Sequence, residues 1–341
     1  MQPQSIPLII AHRGGANLRP ENSMAAFAHA LAVGSDGIEC DIQCSRDGQL
    51  VIHHDLHLNP SQTRLDGHYI SPPLPAIAAL DYAALCRYDI GRLDPTSNYA
   101  NKHPDQIAID DTPIPLFADL CTYLDGKVSP DFKIIVEIKS TLTAATKPPS
   151  SIDPSFTKEN RRLIAALNTL LATHSAAKNL AKNMIFVSFD WHLLAQIKQH
   201  HPDQTYGFIT IPFAIADPAA PVPELALHKI FRTQSETGAP YLGDHDWRPQ
   251  SGANYREKIL KSLMQASKAG VQASNTNMPK WFAYWGDINA ETLSYAKALN
   301  MEVSVWTINN LEMMRRFAAQ GVHNFITDEP VLAKNIFTKQ L

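Results

Sequence analysis

The sequence lacks three features that would place it in a specialised class. It has no apolar run near the roughly 20 residues that a membrane-spanning helix requires, and its first residues carry no positively charged leader region. Basic residues are not in excess, since 30 Lys and Arg stand against 33 Asp and Glu, which argues against a nucleic-acid partner. Cysteine is scarce and lacks the paired spacing of a zinc site, so we expect reduced, structural thiols at Cys40, Cys44, Cys86 and Cys121.

These absences favour an ordinary globular protein. We expect a cytoplasmic protein without a transmembrane segment, or a periplasmic or secreted one if a leader has been removed. Nothing in the sequence indicates an oligomeric state.

The chain does contain an alternation of short Ile- and Val-rich runs with amphipathic stretches. Its 341 residues are 45% hydrophobic, and this length fits either one large α/β barrel over residues 1–341 or two modest domains. Strand–helix alternation is typical of a parallel sheet, and helices are predicted at 22–33, 158–173 and 290–299. Eight such units predict a (β/α)8 TIM barrel, whose active sites lie at the carboxyl ends of the strands. The predicted strands are 8–11, 37–44, 134–139, 184–189, 206–210, 271–274, 303–308 and 324–327.

Two segments interrupt this alternation. Residues 56–131 are too long for a strand–helix connection and rich in proline, so we expect an inserted cap after the second strand and its hairpin. Residues 211–255 are rich in Pro and Gly, and we expect long loops there. Both segments are candidates for the walls of a substrate pocket, and the second is equally compatible with surface decoration.

The first predicted strand ends in His12 and Arg13, where a barrel would open to its substrate. Arg can grip a phosphate with paired hydrogen bonds, and the glycines that follow permit close backbone approach. Read alone, the pair is also compatible with a structural role. Asn22 is the expected N-cap of the next helix.

Two carboxylates lie on one face of the second predicted strand. Glu39 and Asp41 alternate with apolar residues, so both project to the same side. Carboxylates this close repel one another unless a hard cation or a cationic side chain lies between them. The sequence leaves both resolutions open.

A hairpin is predicted after this strand, because Asp47 and Gly48 lie between two apolar runs. A two-residue turn would place His54 opposite Asp41 and on the same face, with His53 pointing away. A three-residue turn would give Asp41 another partner.

The third predicted strand carries Glu137 and Lys139 on one face of an otherwise apolar run. A buried parallel strand is normally apolar throughout, so these charges need partners. Glu137 would complete a three-carboxylate site with Glu39 and Asp41, and Lys139 would neutralise a carboxylate or a phosphate oxygen. A simple Glu–Lys pair is the alternative.

This inventory suits attack on a phosphodiester. One histidine can act as general base and the other as general acid, because imidazole titrates near neutrality. A hard divalent ion would balance the negative charge that develops on the phosphoryl oxygens.

At this point the residues resemble those of the glycerophosphodiester phosphodiesterases. The resemblance implies a (β/α)8 barrel with an insertion after the His-Asp block, in agreement with the insertion expected at 56–131. The shared blocks follow the family order from the first predicted strand to the last: HRGGANLRPENSMAAF, GIECDIQCSRDGQLVIHHD, IIVEIKS, VSVWTIN and GVHNFITDEP.

By position, the resemblance implies that His12 and His54 are an acid–base pair and that Arg13 and Lys139 contact the phosphate. It implies one Ca²⁺ or Mg²⁺ ion and a small-molecule phosphodiester cleaved to an alcohol and glycerol 3-phosphate. Attack by the glycerol hydroxyl and direct attack by water both stay open. The implied metal ligands are Glu39, Asp41 and Glu137, and the implied pocket aromatics are Phe189 and Trp306, for which packing is the alternative.

Two other functions compete with this one. A lysophospholipase D-like enzyme would need an apolar groove beside the metal, for which the aromatic run 281–285 is the candidate, although these residues would equally suit a core. A catalytically inactive relative would keep the pocket and bind phosphodiesters without turnover.

Overall fold

The computed structural model describes residues 6–140, 154–269 and 278–338. Short 3-10 turns lie between several of its strands and helices. The strands are β1 (Leu8–Ala11), β2 (Gly37–Cys44), β3 (Leu50–Ile52), β4 (Arg64–Leu65), β5 (His68–Tyr69), β6 (Tyr88–Asp89), β7 (Lys133–Ile138), β8 (Met184–Ser188), β9 (Thr205–Ile209), β10 (Lys280–Tyr284), β11 (Glu302–Trp306) and β12 (Asn324–Thr327). The helices are α1 (Met24–Ala32), α2 (Tyr82–Leu85), α3 (Asn98–Lys102), α4 (Phe117–Leu124), α5 (Pro154–Thr173), α6 (Ser175–Asn179), α7 (Trp191–His200), α8 (Phe213–Ala216), α9 (Ala226–Glu236), α10 (Tyr255–Lys268), α11 (Ala290–Ala298), α12 (Leu311–Ala319) and α13 (Pro330–Thr338).

Eight parallel strands close into a barrel, which confirms the predicted (β/α)8 fold. Strands β1, β2 and β7 to β12 each pair with two parallel neighbours, and β1 closes the ring by pairing with both β2 and β12. Helices from the strand connections form the outer layer. The strand predicted at 271–274 lies outside the described residues, and the sixth barrel strand is β10.

The two faces of the barrel strands pack in two different hydrophobic cores, one between the strands and the helices and one inside the barrel. Alternate residues such as Ile9 and Ile38 pack outward against the helices. A smaller apolar cluster fills the barrel interior, and Gly207 leaves room there because a Cβ atom would lie 2.2 Å from the ring of Phe282. The interior cluster consists of Ile10, Ile135, Ile185, Val187, Ile209, Phe282 and Ile326.

The inserted segment forms a small unit beside the barrel. Strands β4, β5 and β6 make a separate antiparallel sheet. A separate apolar cluster lies beneath it and includes Leu58, Ile77 and Leu85. Helix α4, at the end of the range expected for the insertion, instead packs in the main core through Phe117 and Leu120.

The expectation of long loops at 211–255 is correct only in part, because α8 and α9 lie in this range beside loops at 217–225 and 243–254. Arg232 stabilises the region from within: it is buried, and its guanidinium donates to the carbonyls of Ile215 at 2.7 Å and Ala220 at 2.9 Å. In this way a buried arginine satisfies backbone carbonyls, which would otherwise be costly to bury. Among the helices of the described ranges, none has the length and apolarity that a bilayer crossing requires.

Candidate active site

The turn after β1 directs His12 and Arg13 into the mouth of the barrel. Arg13 adopts a left-handed conformation with φ of 51°, and Gly14 follows with φ of 84°. A side chain at Gly14 is excluded, since its Cβ would lie 2.6 Å from the Cβ of Ala26. The sharp turn therefore depends on close packing against α1.

The N-cap of α1 is Ser23, so the expectation for Asn22 is wrong. The Ser23 hydroxyl accepts a hydrogen bond from the backbone of Ala26 at 3.1 Å. Asn22 has φ of 55°, and its side chain does not cap the helix. Its amide instead donates to Asp41 Oδ2 at 2.8 Å. Asn22 thus supports the site instead of the helix.

Three carboxylates converge on the neighbouring strands β2 and β7. Asp41 lies directly across from Glu137 in the parallel register. Glu39 lies two residues earlier on the same face of β2. One oxygen from each of the three comes within 4.8 Å of the others. Burial and the neighbouring charge of Asp41 raise the pKa of Glu39 to about 8, which reflects the repulsion within this cluster.

Lys139 partly neutralises the cluster. Its Nζ lies 2.9 Å from Asp41 Oδ1 and donates to Glu137 Oε1 at 2.5 Å. Burial opposes ionisation of Asp41, but Lys139, His54 and Arg13 hold the pKa of this carboxyl well below its usual range. The cationic side chain expected between the carboxylates is therefore Lys139, which forms ion pairs with Asp41 and Glu137, whereas its ion pairs do not include Glu39.

The cluster fits a hard divalent cation. Glu39 Oε2 accepts from the backbone N–H of Arg13 at 2.9 Å, whereas Oε1 is buried and has no hydrogen-bond partner within the described ranges. A buried carboxylate oxygen without a partner is costly, and coordination to a cation would satisfy it. Carboxylate oxygens are the ligands that Ca²⁺ and Mg²⁺ prefer.

His12 lies against this cluster and is held from behind by a carboxylate. Asp328, at the end of β12, places Oδ1 2.6 Å from His12 Nδ1, so that Nε2 faces the site 3.9 Å from Glu39 Oε2. Burial lowers the pKa of His12, but the charge of Asp328 outweighs this and raises it overall. A carboxylate on Nδ1 fixes the tautomer and leaves Nε2 for chemistry.

His54 reaches the same cavity, although the register that predicted it is wrong. Strands β2 and β3 pair Cys44 with Leu50 and Ile42 with Ile52, because the turn contains three residues, with Gly48 at φ of 85°. The backbone N–H of His53 donates to the Asp41 carbonyl, so His53 and not His54 lies opposite Asp41.

His54 lies just beyond this pairing and turns into the cavity. Asp55 accepts from its Nδ1 at 2.8 Å and is itself held by Asn59. Burial opposes ionisation of Asp55, but His54 holds its pKa at about 2.

Arg13 is held between Glu21 and the carboxylate cluster. Its Nη1 donates to both oxygens of Glu21 at 3.0 Å, and its Nε lies 3.4 Å from Asp41 Oδ2. These contacts orient the guanidinium before any substrate binds. The charge of Arg13 also keeps the pKa of Glu21 low despite burial.

An aromatic wall completes the cavity, which has a volume of about 180 Å³. Phe189 and Trp306 line it and meet edge to face, with 6.0 Å between ring centroids. Tyr284 also packs against Trp306, with 5.5 Å between ring centroids. The aromatic run of β10 does not form one groove, because Trp281 faces the helices and is fully buried.

Sequence reasoning brought together the histidines, carboxylates and cations of this cavity, but it missed their supporting carboxylates. Asp328 directly follows the strand predicted at 324–327, so the rule that strand ends carry function would have found it. Asp55 directly follows His54 and could have been found as its partner. Glu21 had no local signal, because the polar stretch that contains it looks architectural.

Comparison with known proteins gives the family of this chain. The model of the glycerophosphoryl diester phosphodiesterase family matches residues 12–332, and the chain belongs to this family. Human lysophospholipase D GDPD1 is 31% identical over 151 residues, which is 44% of this chain and 42% of that protein. The matched segments span less than half of the length of the curated relatives.

Solved structures of family members share the fold over nearly the whole chain. A Silicibacter pomeroyi relative has a TM-score of 0.74 and 23% identity, covering 98% of this chain and 94% of its own. An Oleispira antarctica phosphodiesterase, solved with the product sn-glycerol-3-phosphate, has a TM-score of 0.61 and 18% identity, covering 98% and 97%.

Proposed function

We propose that this protein hydrolyses small glycerophosphodiesters to an alcohol and glycerol 3-phosphate, with the help of one divalent cation. The observation that carries the proposal is the convergence of three carboxylates within 4.8 Å beside two histidines and Arg13. Family membership supports the phosphodiester class, and the product bound to the Oleispira antarctica protein supports the glycerol 3-phosphate half.

In this proposal Glu39, Asp41 and Glu137 hold Ca²⁺ or Mg²⁺. Such an ion, when bound, polarises the phosphoryl oxygens and balances their developing charge. Lys139 binds a remaining phosphate oxygen as an ammonium, and Arg13 binds another through the Nη2 group, which faces neither Glu21 nor Asp41 in the hydrogen bonds and ion pairs of the described residues.

His12 and His54 divide the proton transfers between them. Each has a carboxylate on Nδ1, from Asp328 and Asp55, so each presents Nε2 to the substrate. One removes the proton of the attacking hydroxyl, and the other protonates the leaving alkoxide. The attacking hydroxyl belongs either to water or to the substrate glycerol.

Phe189 and Trp306 form the apolar wall against which the glycerol carbons pack. The cavity has room for a compact polar substrate. The lysophospholipase D alternative retains support from the human relative and from Trp285, which is 36% exposed beside Tyr284.

Parallel assays with glycerophosphocholine and lysophosphatidylcholine, with and without a chelator, test the proposal. We expect release of glycerol 3-phosphate from glycerophosphocholine, abolished by the chelator. Faster choline release from lysophosphatidylcholine would favour the lysophospholipase D alternative. Thermal stabilisation by glycerophosphocholine without any product would indicate a binding protein.

A further inference from the structure

Two side chains of the inserted segment reach the carboxylate that clamps Arg13. Glu21 is 4% exposed, and besides Arg13 it accepts hydrogen bonds from Gln62 Nε2 at 3.3 Å and from the hydroxyl of Tyr99. Gln62 and Tyr99 both belong to the stretch between β3 and α4. The carboxylate is therefore shared between the barrel and the insertion.

The insertion also docks on the loop that carries Glu21. Gln106 donates from Nε2 to the carbonyl of Ala16 at 2.7 Å, and the backbone of Ile107 donates to the carbonyl of Leu18 at 3.2 Å. These bonds tie the loop between Arg13 and Glu21 to the inserted segment. The insertion thus holds both Glu21 and the loop that leads to it.

The surroundings of Tyr99 keep its hydroxyl in place as a donor. Tyr99 lies on α3, and its ring packs edge to face on His103 with 4.6 Å between centroids. Burial and the negative charge of Glu21 favour the protonated phenol. A neutral hydroxyl facing a buried carboxylate makes a charge-assisted hydrogen bond.

We propose that Tyr99 is a positioning residue through which the insertion holds Arg13 for the substrate phosphate, by way of Glu21, with Gln62 as a second donor. The proposal rests on the proposed function in one respect, namely that Arg13 binds phosphate. Without Tyr99, Glu21 would keep its charge, but its carboxylate would no longer be fixed in the orientation in which it accepts from Arg13 Nη1. If the proposal is correct, the insertion contributes residues to the active site and does more than cover it.

The test compares Tyr99→Phe with Tyr69→Phe, a matched control. Tyr69 also lies in the insertion, and its hydroxyl donates to the carbonyl of Leu93 at 2.8 Å, away from the site. We expect Tyr99→Phe to raise KM for glycerophosphocholine and Kd for glycerol 3-phosphate about tenfold, the effect of one hydrogen bond to a charged group, with kcat little changed. Tyr69→Phe should match the parent in all three.

A second variant separates positioning from a general loss of structure. In a Glu21→Gln background, Tyr99→Phe should add less than about twofold, because the residues act through one another. The proposal would be overturned if the effects of Glu21→Gln and Tyr99→Phe on KM multiplied in the double variant. It would also be overturned if Tyr99→Phe and Tyr69→Phe had the same KM and Kd. If Tyr99→Phe does not fold, Gln62→Ala should show the same rise in KM, and an unchanged KM would count against it.

The proposed function can fail separately from this inference. A parent that binds glycerol 3-phosphate in calorimetry but releases none from glycerophosphocholine would contradict the hydrolase assignment, and the Kd comparison would still test Tyr99. A parent that neither binds nor hydrolyses would contradict both.

Discussion

Replacing Asp328 with Asn tests whether His12 is held for proton transfer. Asp328 Oδ1 lies 2.6 Å from His12 Nδ1, and its Oδ2 accepts from Asn309 at 2.6 Å. Asn has nearly the same shape, so the change preserves packing while removing the charge that favours the Nδ1–H tautomer and the imidazolium. In Asp328→Asn the His12 ring should no longer be held in its tautomer and orientation, while the protein should still fold.

The size of the effect follows from the contact. A hydrogen bond to a charged group contributes about 1.5–3 kcal/mol, which corresponds to roughly 10- to 150-fold in rate. The two side chains are only 18% and 9% exposed, so solvent screening is weak. We expect kcat to fall about 100-fold and KM to change less than about threefold, because the interaction matters most in the transition state.

Initial rates of glycerol 3-phosphate release from glycerophosphocholine measure this effect. Asp36→Asn is the matched control, since Asp36 accepts from the backbone of Ile9 at 2.8 Å, just before β2 and away from the site. A kcat within threefold of the parent for Asp328→Asn, or an equal loss in the control, would refute the role given to Asp328.

Three further predictions concern other groups. His54→Ala should lower kcat about 10³-fold with little change in thermal midpoint, because its side chain is 34% exposed. Glu137→Gln should raise the cation concentration for half-maximal activity at least about tenfold, because one charged ligand is lost. Burial raises the pKa of Asp287 to about 7, above its unfolded value near 4, so its stabilising contribution is complete below about pH 4 and lost towards pH 7. Asp287→Asn should therefore add up to about 4 kcal/mol to the free energy of unfolding at pH 8 and little at pH 4.

Each of these has a distinguishing outcome. Equal rates for His54→Ala and the exposed control His68→Ala would remove His54 from the chemistry. A cation titration of Glu137→Gln that overlays the parent curve would exclude Glu137 as a ligand. Denaturant unfolding that shows the same pH dependence with and without Asp287 would mean that this carboxyl titrates normally.

The barrel and the reactive groups were predictable because they depend on local patterns. Alternation along β2 places Glu39 and Asp41 on one face, and alternation along β7 does the same for Glu137 and Lys139. Strand ends share one edge of the barrel, so these groups meet whatever the loops do. The same rule placed His12 and Arg13 at the mouth.

What the sequence could not provide depends on contacts between distant segments. The hairpin register required the conformation of Gly48, which sets a three-residue turn. The bond from Tyr99 to Glu21 joins residues 78 positions apart through an insertion with no repeating pattern. The aromatic run of β10 was ambiguous, because a strand buried on both faces shows no alternation.

The most direct test of the central claim is a cation add-back experiment on chelator-treated protein, following glycerol 3-phosphate release from glycerophosphocholine. The account predicts negligible release without added cation and recovery on adding Ca²⁺ or Mg²⁺, saturating at one ion per chain in a parallel calorimetric titration. Full activity in the chelated protein, or recovery undiminished when Glu39 and Glu137 are both replaced by Gln, would contradict it.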